Sequence, residues 1–276
     1  TEDDGSCVYC GEGCVFDEQP IYTLTVEASA PVVAEGTTYR FYVDMLDSED
    51  RMSSVFGNSE SILSINTPDG AFNSAANASW SAAGLNPAFL TVFPDMTDDT
   101  YATIGLDGPA EFSSIEGSSD PSIVEDPIQP IIPYFITDGA TGLLSSTNIG
   151  AGWYVLNSAA NGLPNDDMRV LILQVTTTGS ISGSLNCQVF PLGVGFDQVQ
   201  FRVDFDGAGT YGESSGSVNA CGCMDSTACN FDPTADYDDG SCAFIGAEEC
   251  DCDGNVLDEC GVCGGGGIAE GDCDCE

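Results

Sequence analysis

The sequence predicts an all-β protein, an antiparallel β-sandwich or jelly-roll domain flanked by small disulfide-rich, Asp-rich modules. Three observations lead there. Period-two hydrophobic runs recur between Ile21 and Phe205, clusters of Gly, Pro, Asn, Asp and Ser punctuate them, and 14 cysteines crowd almost entirely into the two ends.

The strands are read in order. "IYTLTVEA" opens the domain, and "TTYRFYVDML" places Tyr39, Phe41, Val43 and Met45 on one face with Arg40, Tyr42 and Asp44 on the other. "SILSI", "AFLTVF", "TYATIGL", "IIPYFI", "GWYVLN", "MRVLILQVTTT" and "ISGSLNCQVF" follow. "QVQFRVDFDG" closes the series, alternating Val199, Phe201, Val203 and Phe205 against Gln200, Arg202 and Asp204. A 3.6-residue period persists nowhere; one short helix fits around Ala75 to Leu85. Strands without intervening helices make an antiparallel sandwich or jelly roll. "FGNSESILSINTPDG", "DGPAEFSSIEGSSDPSIVEDPIQP" and "GLPNDD" read as its long connections, either solvated loops or a binding surface at one end of the sandwich. Asn77, in "NAS", is a glycosylation candidate.

The cysteines mark the flanking modules. Cys7, Cys10 and Cys14 lie at one end; Cys221, Cys223, Cys229, Cys242, Cys250, Cys252, Cys260, Cys263, Cys273 and Cys275 lie at the other; Cys187 stands alone between them. Small modules bury too little apolar surface to fold unaided, and cross-links in an oxidising, extracellular compartment are the usual remedy. All 14 are therefore disulfide candidates. Cys187 reads either as a buried thiol, sharing a strand face with Ile181, Leu185 and Val189, or as the anchor of a cross-link. The spacings Cys250-x-Cys252, Cys260-x-x-Cys263 and Cys273-x-Cys275 also suit a zinc site, and Cys7-x-x-Cys10 a redox pair, but both belong with reducing compartments. The boundaries expected are 1–18 for a partial Cys-rich module, 19–213 for the sandwich, 214–247 for a Cys/Asp-rich repeat and 248–276 for a Cys/Gly/Asp-rich module.

Charge narrows the partners. With 45 Asp and Glu, four Arg, no His and a formal net charge of -41, the surface repels phosphate backbones and anionic lipid. Neither nucleic acid nor membrane insertion is expected; copies of the chain and neutral glycans remain, as do divalent cations. Without His or Lys, triads built on imidazole and lysine Schiff bases are unavailable. A carboxylate pair could hydrolyse a glycoside, yet no spacing singles one out, so the expectation is a protein that is not an enzyme and carries no organic cofactor.

Asp232, Asp236, Asp238 and Asp239 cluster between Cys229 and Cys242, and Asp251, Asp253, Asn255 and Asp258 form a second set. Oxygen ligands on short, turn-rich loops suit Ca2+, which takes six to eight of them; the same residues also suit Asx turns that satisfy local backbone N–H groups. The spacing is not that of an EF-hand loop.

"GCMDSTACNFDPTADYDDGSC" resembles a repeat of general form GC-x-D-x-x-ACN-[FY]-x-P-x-A-x-x-DDGSC found in large secreted surface proteins of marine microbes. "CDCDGNVLDECGVCGG" is similar to a companion Cys/Asp/Gly repeat, loosely like thrombospondin type 3 calcium repeats. "TYRFYVDMLDSEDRMSSVFGN" and "DDMRVLILQVTTTGSISGSLNCQVFPLG" are similar to the all-β domains between such repeats. Together the repeat motifs cover about a fifth of the chain. The resemblance implies a cell-surface, adhesive or fibre-forming role and no reaction. "DDGSC" recurs at Asp3 to Cys7 and at Asp238 to Cys242, so a whole domain lies within one period, as in a window from a longer repetitive chain. The function expected is an extracellular structural or adhesive protein, a repeating filament subunit stiffened by disulfides and Ca2+; the alternative is a lectin-like glycan-binding module.

Overall fold

The computed structural model describes residues 22–212, 221–231, 237–238, 240–247, 249–258 and 260–267. The chain divides into two compact units, Gln19–Gly216 and a second that includes Ser217–Glu276. Among the described residues no helix is long and apolar enough to cross a membrane.

The first unit is all-β and antiparallel. Its strands are β1 Thr23–Ser29, β2 Thr37–Asp44, β3 Arg51–Gly57, β4 Leu63–Ala71, β5 Tyr101–Ala102, β6 Ser122–Glu125, β7 Ala140–Ser145, β8 Ala151–Tyr154, β9 Arg169–Thr177, β10 Ser182–Phe190, β11 Val199–Asp206 and β12 Gly209–Tyr211. One hydrogen-bonded path runs β12-β1-β2-β9-β4-β10-β3-β8-β6, with β5 on β9, β7 on β4 and β11 on β10. The β4–β9 link is the single pair Ala71↔Thr177, so the path bends there and its two halves face each other. Across the resulting core Phe41 of β2 meets the edge of Phe205 of β11, centroids 5.0 Å apart, and Tyr22 stacks on Phe201 at 5.6 Å. Trp153 of β8 is fully buried, and its Nε1 donates to the carbonyls of Thr103 at 3.1 Å and Ile172 of β9 at 3.2 Å.

Alternation explains the clearest strands. In β11, Phe201, Val203 and Phe205 are buried while Gln200, Asp204 and Asp206 are exposed, as a half-buried strand requires. In β9 every residue from Val170 to Thr177 is buried, because a second layer covers its outer face. The segment from Thr97 to Thr100 lies there, its Thr97 and Asp99 carbonyls accepting from Gln174 Nε2 and its Thr100 hydroxyl from Thr176 N, beside a small cluster of Ala82, Leu85, Met96 and Tyr101. The β3 and β4 strands both pair with β10, and Asn186 fills the fork between them, its Nδ2 donating to the carbonyls of Phe56, Ser61 and Ile62 at 3.0–3.1 Å.

Several segments differ from expectation. "AFLTVF" is not a strand: α1 spans Pro87–Leu90, with Asn86 as its cap, the side-chain Oδ1 accepting from Ala88 N at 2.9 Å. "IIPYFI" forms α2, Ile132–Ile136, where Pro133 suits the first turn and Glu125 Oε2 accepts from Ile131 and Ile132 N–H groups. The helix expected around Ala75 to Leu85 reduces to one 3-10 turn at Ala82–Gly84. Conversely, β4 occupies much of the stretch read as the connection Phe56 to Gly70, and β6 lies inside the long Asp107 to Pro130 connection.

In the second unit the backbone of Cys221–Gly222 pairs in parallel with Tyr237–Asp238. Three disulfides, Cys223–Cys242, Cys229–Cys252 and Cys250–Cys263, join its described residues.

Candidate functional site

The outer face of the β2-β9-β5 strands carries a row of three polar side chains set by register. Arg40 on β2 lies opposite Gln174 on β9, and Gln174 lies opposite Tyr101 on β5. Side chains of directly opposed residues point to the same face, so the three meet. Gln174 Oε1 accepts from Arg40 Nε at 2.8 Å and from the Tyr101 hydroxyl at 3.2 Å. Gln174 Nε2 donates to the carbonyls of Thr97 and Asp99, both at 2.9 Å. The buried amide is thus satisfied on both ends, and it fixes the guanidinium from behind.

Arg40 lines a cleft of about 520 Å³ bounded by the segments around Leu85 to Thr97 and Gly105 to Ile115. Leu90, Phe112 and Ile115 give it apolar walls; Asp107, Ser113 and Ser114 add oxygen atoms. Burial opposes the charge on Arg40, but Tyr101, Tyr42 and Asp107 outweigh it and hold the guanidinium above its ordinary range. Burial pushes the Tyr101 hydroxyl up as well, so it stays a neutral donor. Gly105, at φ 68°, turns the chain at the cleft wall, where a Cβ would run into the carbonyl oxygen of Asn161.

Beneath the cleft, Asp99 is buried, with Oδ1 accepting from Ser74 N at 2.8 Å and Oδ2 from Asn77 Nδ2 at 2.6 Å. Burial pushes its carboxyl up to about 7 against the pull of the bonds from Ser74, Asn77 and Thr100. This arrangement bears on the glycosylation candidate. Asn77 is 8% exposed and its Nδ2, the atom a glycan would occupy, is committed to Asp99. The folded domain does not present it.

Among the described residues the cysteines form a connected series of bridges. Cys223–Cys242 joins the ends of the DDGSC motif, Cys229–Cys252 crosses from it to the following Cys/Asp/Gly motif, and Cys250–Cys263 closes the latter. Cys260 is also disulfide-bonded. Cys250, Asp251 and Cys263 lie close enough to share a cation, but the two sulfurs are bonded to each other and offer no thiolates, which sets the zinc alternative aside for them. Cys187 is a buried free thiol, which decides between its two readings. Cys7, Cys10, Cys14, Cys273 and Cys275 lie outside the described residues, and so does the redox reading of the first two.

Of the calcium candidates, Asp232, Asp236 and Asp239 lie outside the described residues, and Asp238 takes part in backbone pairing with Gly222. In the second set, Asp251 accepts from the N–H groups of Asp253 and Asn255 and from Asn255 Nδ2. Asp258 accepts from Cys260, Val262 and Gly267 N–H groups. Those bonds, led by Asn255 for Asp251 and by Val262 for Asp258, hold both carboxyls below their ordinary range. Among the described residues no three carboxylates converge on one point, and Asp251 and Asp258 each form an Asx turn with the backbone that follows.

Sequence reasoning passes over the Arg40 cleft. Arg40 reads only as the polar side of β2, and the register that brings Gln174 and Tyr101 beside it cannot be read from local pattern. The signal available is one charge, four of its kind in the chain, set within an aromatic strand. Comparison with family models, with characterised proteins and with solved structures finds no match for this chain.

Proposed function

We propose that the chain is an extracellular structural or adhesive segment, a repeating subunit of a cell-surface filament or fibre. The observation that carries this reading is the bridge Cys229–Cys252, which locks two successive repeat motifs to each other. Disulfides persist in oxidising compartments. A cross-link between consecutive motifs limits how far tension can extend the connector, which is what a load-bearing segment needs. The resemblance of the motifs to repeats of secreted surface proteins supports the same reading.

The surface of the sandwich supports self-association. A shallow groove of about 400 Å³ over β3, β8 and β6, walled by Phe56, Val124, Ile149 and Tyr154, has no charged side chain in its lining. Phe196 projects fully exposed from the loop that also carries exposed Leu192 and Val194. In a chain of net charge -41, copies approach most readily where carboxylates are absent. Calcium at Asp232, Asp236, Asp238 and Asp239 belongs to this reading, since clustered carboxylates repel without a counterion. The reading assigns no reaction.

Electron microscopy of the native chain in calcium and seawater-like salt tests it. Ordered assemblies with a repeating spacing are expected; separate particles under all such conditions contradict it. A second reading, a glycan-binding surface module, is favoured by the cleft at Arg40, which combines apolar walls with fixed polar groups as ligand sites do.

A further inference from the structure

We propose that the Arg40 cleft binds an acidic sugar, a uronic acid residue of a glycan, with its carboxylate on the Arg40 guanidinium. The proposal rests on the glycan-binding reading and adds the charge of the ligand. Four features of the cleft lead to that class.

First, Arg40 has no ion-pair partner among the described residues of a chain crowded with acids. Arg169 pairs with Glu27, Arg202 pairs with Asp204, and Arg51 donates to the Ala159 carbonyl. No carboxylate among the described residues lies within ion-pair distance of Arg40. With 45 acids available, an arginine that lines a cleft and feels Asp107 only through its field, with no carboxylate in contact, leaves its contact positions open to an incoming anion.

Second, the guanidinium is preorganised. Its Nε is held at 2.8 Å by the amide of Gln174, a residue 1% exposed whose other end is held by two carbonyls. A donor fixed in this way loses little freedom when a carboxylate arrives.

Third, the cleft discriminates against a bare polyanion. Asp107, which also lines it, repels a second negative charge yet accepts hydrogen bonds from hydroxyl groups. A ligand with one carboxylate and several hydroxyls satisfies both residues, whereas an acidic peptide meets Asp107 and the -41 field of the whole chain.

Fourth, the walls suit a pyranose ring. Phe112 is 53% exposed beside Leu90 and Ile115, presenting apolar surface to the C–H face of a sugar, while the Ser113 and Ser114 hydroxyls lie on the same segment. The volume of about 520 Å³ lies within the range of small-molecule sites.

Calorimetric titration of the 276-residue chain, its disulfides intact, with glucuronate tests this. Saturable binding with a Kd on the order of 1 mM is expected, about tenfold tighter than for methyl glucoside. Arg40→Gln is expected to remove that preference, and Asp107→Asn to strengthen glucuronate binding several-fold. The aspartate change is exposed and guards against a folding defect in the arginine variant. Equal binding of glucuronate and methyl glucoside overturns the acidic preference and leaves the glycan reading standing; absence of binding by either overturns both. Acetate or an Asp-rich peptide binding as tightly as glucuronate overturns the sugar assignment.

Discussion

Arg40 and Gln174 stand directly opposite each other on adjacent strands, and the guanidinium Nε donates to the amide oxygen at 2.8 Å. That one contact connects the sheet to the cleft, because the same amide holds Tyr101, Thr97 and Asp99. Gln174→Leu keeps the bulk of the side chain and leaves two carbonyls, a hydroxyl and Arg40 without it. A buried polar group stripped of its partner costs about 1–3 kcal/mol. Urea denaturation is expected to show a loss of at least that size, and a variant as stable as the native chain would show the network to be idle.

Asp99 makes the sandwich sensitive to pH. Its carboxyl is pushed up to about 7 in the folded state from an ordinary value of 3.8, so the folded state holds this proton more tightly. The contribution to stability is fully present below about pH 4 and is lost as pH rises towards 7. Other carboxyls act in the opposite sense, so the difference between native chain and Asp99→Asn isolates the effect. The native chain is expected to gain stability relative to the variant as pH falls from 7 to 4. A difference that is flat or of opposite slope in thermal unfolding contradicts the buried proton.

Cys187 is a free thiol buried at the centre of β10, and burial pushes its pKa up. Thiolate is the reactive form. A thiol-specific reagent is therefore expected to leave Cys187 unmodified in the folded chain and to modify it in denaturant. Rapid labelling of Cys187 under native conditions would place it at the surface.

Trp153 fastens the two halves of the sandwich, donating to carbonyls at Thr103 and Ile172 from a fully buried position. It also meets Phe135 edge-on, centroids 5.9 Å apart. Trp153→Ala is expected to cost about 3–5 kcal/mol. Trp153→Phe retains most of the apolar surface and is expected to lose less, the remainder reporting the indole hydrogen bonds. Equal losses in the two variants would contradict that division.

Strands with one face in the core were legible. In β11 the buried Phe201, Val203 and Phe205 alternate with solvent-facing residues, whereas in β10 Leu185, Cys187 and Val189 hold the apolar alternation while the neighbouring Ser184 and Asn186 are buried as well. Short apolar runs were ambiguous, because a few residues show neither period clearly; Pro87 and Pro133 were the cues that α1 and α2 are helices. The β3 strand was obscured by Ser53 and Ser54 at its centre. Oxidised cysteines in the C-terminal region were legible from clustering, but their partners follow from the folded path. The cleft was not legible at all: it depends on the alignment of Arg40, Tyr101 and Gln174, three residues far apart in sequence that only sheet register brings into one row.

The bridge between repeat motifs is the feature on which the extracellular reading stands, and peptide mapping under non-reducing conditions reads it directly. Cleavage before Asp251 separates Cys250 from Cys252, so their two bridges can be told apart. The expected map links Cys223 to Cys242, Cys229 to Cys252 and Cys250 to Cys263, with Cys187 free. Free thiols throughout the C-terminal unit of the native chain, or stoichiometric zinc bound by them, would contradict it.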